Sequence, residues 1–210
     1  MPMQIDDLDQ SQIEVLKEIG NIGAGNAVTA LAKMLDKRID MAVPRVKIMS
    51  FKEIPDILGN EEILIAGILL EMTGDITGNI LFVMDIKSAH TLVNILMGST
   101  GEETSAQGSE FNEIEVSALK EVGNILAGSY LSALSMLTNK NIMPSVPDLC
   151  IDMAGAILSV PAIGFGRVGN NVLYIETEFS DGSEKVSGEF FLIPDLNSYE
   201  LLLKALGVMY

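Results

Sequence analysis

The sequence contains few of the residues from which metal sites, disulfides and nucleophilic active sites are usually built. Its 210 residues include one cysteine, Cys150, one histidine, His90, and no tryptophan. A single cysteine allows no internal disulfide and suits a reducing compartment. One cysteine and one histidine together are too few ligands for a usual zinc site. His90 is predicted to be a surface residue of a helix, and Cys150 a buried small apolar residue. We therefore expect no metal site in this chain.

Long apolar runs and a basic N-terminus are also missing. The longest apolar stretch, residues 63–70, has the length of a strand and is far shorter than the roughly 18–20 residues that span a membrane as a helix. Residues 1–10 are acidic and lack the basic, then apolar, layout of a signal peptide. We expect a cytoplasmic protein with no membrane insertion.

Basic residues are scarce, since 13 Lys and Arg face 29 Asp and Glu, for a net charge of −16. Nucleic acid and anionic lipid bind through clustered Lys and Arg. The charge balance therefore indicates no nucleic-acid partner, and it suits a soluble protein. A protein partner that offers a local basic group remains compatible with it.

One segment occurs twice in the chain. Residues 16–46 and 119–149 align at an offset of 103, and about 14 of the 31 pairs are identical. The identical pairs include a polar motif, Glu-x-x-Asn, formed by Glu18 with Asn21 and by Glu121 with Asn124. A period near 100 residues is too long for a solenoid repeat. It indicates two half-domains packed as one unit.

The spacing of apolar residues predicts the same order of elements in each half. The predicted helices cover residues 9–35, 86–97, 111–137 and 196–206. The predicted strands or extended segments cover residues 39–51, 62–72, 77–84, 146–152, 171–179 and 187–193. Shorter helical or irregular segments are expected near 52–58 and from 153 to about 166. A capping box is predicted at the start of each long helix, from Asp9 with Gln12 and from Asn112 with Glu115.

Hairpins with short turns imply mainly antiparallel pairing. We therefore predict an α+β fold in which two half-domains, residues 1–98 and 110–210, are related by a pseudo-two-fold axis. The polar segment 99–109 connects them. The halves are expected to form one compact domain, with a mainly antiparallel sheet and two long motif-bearing helices.

The repeated pair is suited to positioning chemistry. Glutamate and asparagine three residues apart share one helix face, with their Cβ atoms about 5–6 Å apart, and the apolar stripe lies elsewhere. Asparagine has no useful pKa, but its amide donates and accepts at once and can hold a water in line with an electrophile. The carboxylate can pair with a Lys or Arg of a partner. Glu14 and Ser117 lie one turn earlier on the same faces.

Three glycines, Gly20, Gly23 and Gly25, fall inside the first predicted helix, where each costs about 1 kcal/mol relative to alanine. Two explanations are open: tight packing inside the protein, or close approach of a partner to the helix backbone. A phosphate-binding loop is disfavoured, because Asn26 and Ala27 follow where Lys and Ser or Thr are required.

With these motifs the chain resembles the CheC/CheX/FliY family of bacterial chemotaxis phosphatases, and two motifs in 210 residues are typical of its CheC-like members. The family pattern is Asp or Ser, then Glu four residues later, then Asn three residues after that. Ser117, Glu121 and Asn124 fit this pattern fully. The first copy departs from it, because Glu14 stands where the pattern has Asp or Ser.

The resemblance implies a protein phosphatase that acts on the aspartyl-phosphate of a CheY-type response regulator. It implies that Asn21 and Asn124 position the attacking water and that Glu18 and Glu121 contact a lysine of the regulator. Glu14 and Ser117 are further candidate binding residues. The Mg²⁺ would belong to the regulator, so no cofactor is expected on this chain.

The resemblance also implies CheD, a receptor deamidase, as a partner of CheC-like members. A monomer is expected, because two internal copies remove the usual reason to dimerise. The alternative function is a non-catalytic adaptor that binds CheD or the phosphorylated regulator through the same exposed motifs.

Overall fold

The computed structural model of the chain describes residues 10–42, 45–50, 53–98, 110–165, 171–180, 185–205 and 207. The helices in these ranges are α1 (Gln10–Leu35), α2 (Ile54–Leu58), α3 (Ile86–Met97), α4 (Glu113–Thr138), α5 (Ala154–Phe165) and α6 (Leu196–Ala205). The strands are β1 (Asp40–Met41), β2 (Arg45–Ser50), β3 (Leu64–Gly74), β4 (Gly78–Asp85), β5 (Ile142–Pro144), β6 (Asp148–Met153), β7 (Asn171–Ser180) and β8 (Lys185–Pro194).

Local sequence signals fix the ends of α4. Asn112 accepts hydrogen bonds from the backbone N–H groups of Ile114 and Glu115, at 2.9 and 3.0 Å, and the Glu115 carboxylate accepts one from the Asn112 N–H at 2.8 Å. The predicted capping box is therefore confirmed at this helix. The helix ends at Asn139, which adopts a left-handed backbone conformation with φ of 52°. The other predicted box includes Asp9, which lies outside the described residues.

The strands form one sheet with the order β1–β7–β8–β4–β3–β5, in which β2 continues the edge beside β7 and β6 continues the edge beside β3. Every pairing between these described strands is antiparallel. The two halves contribute equivalent strands: β2 corresponds to β6, β7 to β3 and β8 to β4. When each strand is replaced by its equivalent, the strand order of the sheet is the same, read from the opposite edge. The α+β fold with an antiparallel sheet and a duplicated unit is confirmed.

The two halves are interlocked. The edge strand of the first half, β2, pairs with β7 of the second half, and β6 of the second half pairs with β3 of the first. The predicted boundaries at 1–98 and 110–210 stay a prediction, and the connecting segment 99–109 lies outside the described residues.

Some elements differ from the sequence prediction. The strand β5 was not predicted, and it forms because Ile142 and Met143 pair with Gly74 and Thr73 of β3. Its last residue, Pro144, is tolerated because it lies in an edge strand. The segment expected to be irregular or helical after β6 forms α5. Tertiary pairing and packing decide such short elements, for which local signals are weak.

Both faces of the sheet are covered. Along β4 successive side chains alternate between the faces: Ile80, Phe82 and Met84 pack with the core that contains α1, α3 and α4. Leu81 and Val83 pack on the other face, in a second cluster that includes residues of α5. The strand therefore reads as a nearly continuous apolar run. The two long helices lie on one face only, which leaves each of them a side that the sheet does not cover.

The contact between α1 and α4 is close because a glycine faces a tyrosine. Tyr130 of α4 is 1% exposed, and its ring lies 4.8 Å from the Phe190 ring between centroids. A Cβ placed on Gly23 of α1 would lie 2.7 Å from Cε1 of Tyr130, which is well inside van der Waals contact. The offset of 103 relates the pair Gly23 and Tyr130 to a second pair, Leu126 and Ala27. In the second pair α1 again has the smaller residue, Ala27, and both side chains are fully buried.

We predict that Gly23→Ala lowers the free energy of unfolding by about 1–3 kcal/mol, because the new methyl group overlaps the Tyr130 ring. Urea unfolding followed by circular dichroism measures the change. Gly25→Ala is the matched control, since a Cβ at Gly25 meets no atom within 4 Å. A Gly23→Ala protein as stable as the wild type would contradict the contact.

A partly buried carboxylate lies on the opposite face of the sheet. Glu189 of β8 is directly opposite Glu176 of β7. Burial, together with the nearby carboxylates of Glu176 and Asp85, raises the pKa of Glu189 to about 7. The folded protein therefore favours the protonated form of Glu189 more than the unfolded chain does.

Because the pKa of Glu189 is higher in the folded state, its contribution to stability is complete below about pH 4.5 and is lost as the pH rises through about 7. We predict that Glu189→Gln removes this loss and makes the protein more stable than wild type above pH 7, by at most about 3 kcal/mol. Urea unfolding between pH 4.5 and 8 measures it. Parallel stability curves for the two proteins over this pH range would refute the assignment.

Candidate functional site

The first Glu-x-x-Asn motif lies on an exposed face of α1. Glu14, Glu18 and Asn21 are all exposed, at spacings of four and three residues that place them on one side of the helix. Ile19 and Ala27, on the opposite side, are fully buried. The burial of the apolar side therefore determines which way the motif points.

The second motif has the same arrangement on α4, with two differences. Ser117 and Glu121 are exposed, whereas Asn124 is half-buried. The Ser117 hydroxyl donates to the Glu113 carbonyl oxygen one turn earlier, at 2.8 Å. At the position where α1 has a second carboxylate, Glu14, α4 therefore has a neutral side chain that bonds to its own helix.

We call these two surfaces the motif faces: Glu14, Glu18, Asn21 and Gly25 on α1, and Ser117, Glu121, Asn124 and Gly128 on α4. The structure gathers each set on its own helix. It brings the helices together through their buried sides, by the contact of Gly23 with Tyr130. The motif faces themselves take no part in that contact.

The polar side chains of the motifs are accessible to a partner protein. Within the described residues, neither Asn21 nor Asn124 makes a side-chain hydrogen bond, and neither Glu18 nor Glu121 belongs to an ion pair. Each motif therefore offers an amide that can donate and accept and a carboxylate that can accept. Among the described residues, neither group has a partner that would have to be displaced first.

The open question about the glycines has two answers. Gly23 is needed for packing against Tyr130, and Gly123 for packing against Ile68, where a Cβ would lie 2.5 Å from Cγ2 of the isoleucine. Gly25 and Gly128 have no such contact among the described residues, and a Cβ on either would have no atom within 4 Å outside its own turn of helix. Internal packing therefore explains Gly23 and Gly123, but it does not explain Gly25 and Gly128.

Other polar residues of the sequence have structural roles. His90 of α3 stacks on Phe111, with ring centroids 4.2 Å apart and planes at 15°. Asp75, in the turn after β3, accepts a hydrogen bond from the Asn141 backbone at 2.8 Å. The prediction that Cys150 is buried was wrong: its side chain is exposed, because β6 is an edge strand with several exposed positions.

Asp85 and Ser88 of the first half match Asp195 and Ser198 of the second at an offset of 110, and in each pair the aspartate caps a helix. Asp85 accepts from the Ser88 backbone at 2.6 Å at the start of α3, and Asp195 accepts from the Ser198 backbone at 2.8 Å at the start of α6. Thr77 also bonds to the Asp195 carboxylate, and these hydrogen bonds hold the pKa of Asp195 below its usual value although burial opposes them. Their repetition is explained by local structure.

Tyr130 is the positioning residue that sequence reasoning missed. The sequence signal for it is a difference in side-chain size between the two copies: the first copy has Gly23 and Ala27 where the second has Leu126 and Tyr130. Read alone, either copy looks like an ordinary amphipathic helix. This difference in size can be interpreted only when the two helices are known to pack against each other, so that a small residue on one faces a large residue on the other.

Within the described ranges, no group of three or more His, Cys, Asp or Glu side chains is placed to hold a metal ion. In the same part of the chain, no helix is both long enough and apolar enough to cross a membrane.

Fold and motif faces together define a duplicated α+β protein with two helical Glu-x-x-Asn surfaces. The model of the CheC-like family matches residues 12–48 and 114–151, which cover most of each motif helix and the edge strand after it. CheY-P phosphatase CheC of Bacillus subtilis (strain 168) is 38% identical over 202 residues, 95% of this chain and 96% of that protein. The chain belongs to the CheC-like family.

Two FliY proteins are also similar. The flagellar motor switch phosphatase FliY of Bacillus subtilis (strain 168) is 27% identical over 144 residues, which are 69% of this chain and 36% of that protein. The crystal structure of Thermotoga maritima FliY superposes with a TM-score of 0.72 at 27% identity, and the match covers 95% of this chain and 99% of that one.

Proposed function

We propose that this protein is a phosphatase that hydrolyses the aspartyl-phosphate of a CheY-type response regulator in chemotaxis. The observation that supports this most is the pair of exposed faces, each carrying an asparagine amide without a partner among the described residues. The names of the relatives point the same way, since two of them are called CheY-P phosphatase and flagellar motor switch phosphatase.

In the proposed mechanism, Asn21 and Asn124 each position a water molecule. The carbonyl oxygen of the amide accepts a hydrogen bond from the water while its NH₂ group donates to a neighbouring oxygen, so the water is held in line with the phosphorus atom. Phosphoryl transfer gains mainly from such positioning and from charge stabilisation. The amide does not need to change its protonation state.

Glu18 and Glu121 are proposed to fix the orientation of the partner. A carboxylate one turn before the asparagine can accept a charge-assisted hydrogen bond from a lysine of the regulator. The resemblance places the Mg²⁺ on the regulator, where it would neutralise phosphate charge, and we propose that this chain holds no cofactor. Glu14 and Ser117 border the same faces and are proposed to contact the regulator as well.

We predict that replacing both Asn21 and Asn124 by alanine lowers the rate of phospho-regulator decay about 10²-fold or more, a barrier increase of about 2.7 kcal/mol or more. The fold should be intact, because both side chains lie outside the described hydrogen bonds and the buried core. The measurement is the lifetime of a CheY-type regulator phosphorylated with acetyl phosphate. Each single variant should keep the activity of the remaining site.

Asn26→Ala is the matched control, since Asn26 is exposed on α1 but lies off the motif face. It should leave the decay rate unchanged. A double variant that shortens the regulator's lifetime as the wild type does would end the proposal. The adaptor alternative is separated by turnover: an enzyme clears many equivalents of phospho-regulator, whereas an adaptor protects or removes only a stoichiometric amount.

We predict that Glu18→Gln with Glu121→Gln raises KM about fivefold or more and changes kcat less. A docking ion pair acts in the ground state and the transition state alike, so its loss weakens binding. The effect of added salt on KM should also shrink in this variant. The control is Glu62→Gln with Glu71→Gln, which removes two exposed charges away from the motif faces. If both double variants behave alike, only net charge matters.

The remaining parts of the proposal concern assembly and location. We propose that the protein acts as a monomer in the cytoplasm, because one chain already carries two copies of the unit and the partner is a response regulator. CheD, which the family resemblance implies, is proposed as a second partner. Analytical ultracentrifugation with and without CheD tests the monomeric state and the association with CheD.

A further inference from the structure

Two glycines of the motif helices are not required by packing against any described residue of the chain. Gly25 lies in the middle of α1 and Gly128 in the middle of α4, at equivalent positions of the two copies. In the described part of the chain, a Cβ at either position would meet no atom within 4 Å outside its own turn. Neither glycine is among the residues with positive φ. Space and backbone geometry therefore both permit alanine, which is the better helix former.

The other glycines of these helices serve as an internal comparison. Gly23 lies two residues before Gly25, and Gly123 lies five residues before Gly128. Both Gly23 and Gly123 are closed off by a core side chain, Tyr130 in one case and Ile68 in the other. Packing therefore accounts for a helical glycine in this protein where a neighbour approaches it. At Gly25 and Gly128 no described residue of this chain supplies such a neighbour.

Each open glycine is one helical turn from a motif asparagine and on the same face. Residues four apart on a helix are adjacent, so the backbone at Gly25 lies beside Asn21 and the backbone at Gly128 lies beside Asn124. An asparagine side chain is short. For its amide to enter a recess in another protein, the wall of that recess must come close to the helix backbone next to it.

On the basis of the proposed function, we infer that Gly25 and Gly128 are positioning residues that let the rim of the regulator's acyl-phosphate recess touch the helix backbone beside the asparagine. A Cβ there would hold the two surfaces apart and keep the amide from reaching the attacking water. The glycines act through the asparagines and do not touch the reacting atoms.

The experiment compares Gly25→Ala with Gly128→Ala, made together, against the wild type. We expect kcat/KM for the CheY-type regulator phosphorylated with acetyl phosphate to fall at least tenfold, mostly through KM. The melting temperature should stay the same or rise, by about 2–4 °C for each substitution. Calorimetric titration of the regulator loaded with beryllofluoride and Mg²⁺ should show the same loss of affinity. Asn26→Ala, off the motif face, should change neither KM nor affinity.

The possible results separate the two ideas. If the Asn21→Ala, Asn124→Ala protein is inactive and the double-glycine variant keeps wild-type kcat/KM and affinity, the inference about the glycines is wrong and the proposed function stands. If the asparagine variant is fully active, the proposed function fails, and the titration alone decides whether the glycines shape the binding surface. A lower melting temperature in the double-glycine variant would assign the glycines to the fold and overturn the inference.

Discussion

The architecture depends on the close contact of α1 with α4 above the sheet. This contact is possible because Gly23 leaves room for the Tyr130 ring, while Gly123 lets α4 lie against Ile68 of β3. The Tyr130 hydroxyl has no partner among the described residues, which costs about 1–3 kcal/mol, yet the ring fills the space. With the inner sides of both helices fixed in this way, the sides that carry the Glu-x-x-Asn motifs must face outward.

The symmetry of the sheet gives both motifs the same support. Each half contributes a hairpin to the centre and an edge strand to the hairpin of the other half, so neither half can bury its apolar faces without its partner. The duplicated parts have still diverged where packing differs. Asn21 is exposed and has Glu14 beside it, whereas Asn124 is half-buried and has Ser117 beside it. One chain therefore offers two related but unequal surfaces to a partner.

The asparagine amides and the Glu18 and Glu121 carboxylates of the motif faces are exposed or half-buried, and within the described residues they are unpaired. The mechanism proposed for this surface relies on positioning, with the charged centre of the reaction supplied by the partner. This agrees with a chain that contains a single histidine and a single cysteine. The group with a clearly perturbed pKa near neutrality, Glu189, lies on the other face of the sheet, where burial rather than chemistry explains the shift.

The sequence alone determined the repeat, the two long helices, the antiparallel hairpins and the residues of the motifs, because repetition, helical periodicity and capping are local signals. It left the glycines Gly23 and Gly25 indistinguishable, since both read as the same weak helix residue. Only the tertiary structure separated them, by bringing Tyr130 of a distant helix against one and leaving the other open. The short strand β5 and the exposure of Cys150 were also decided by pairing across the sheet. Such contacts join residues far apart in the chain, and no local pattern records them.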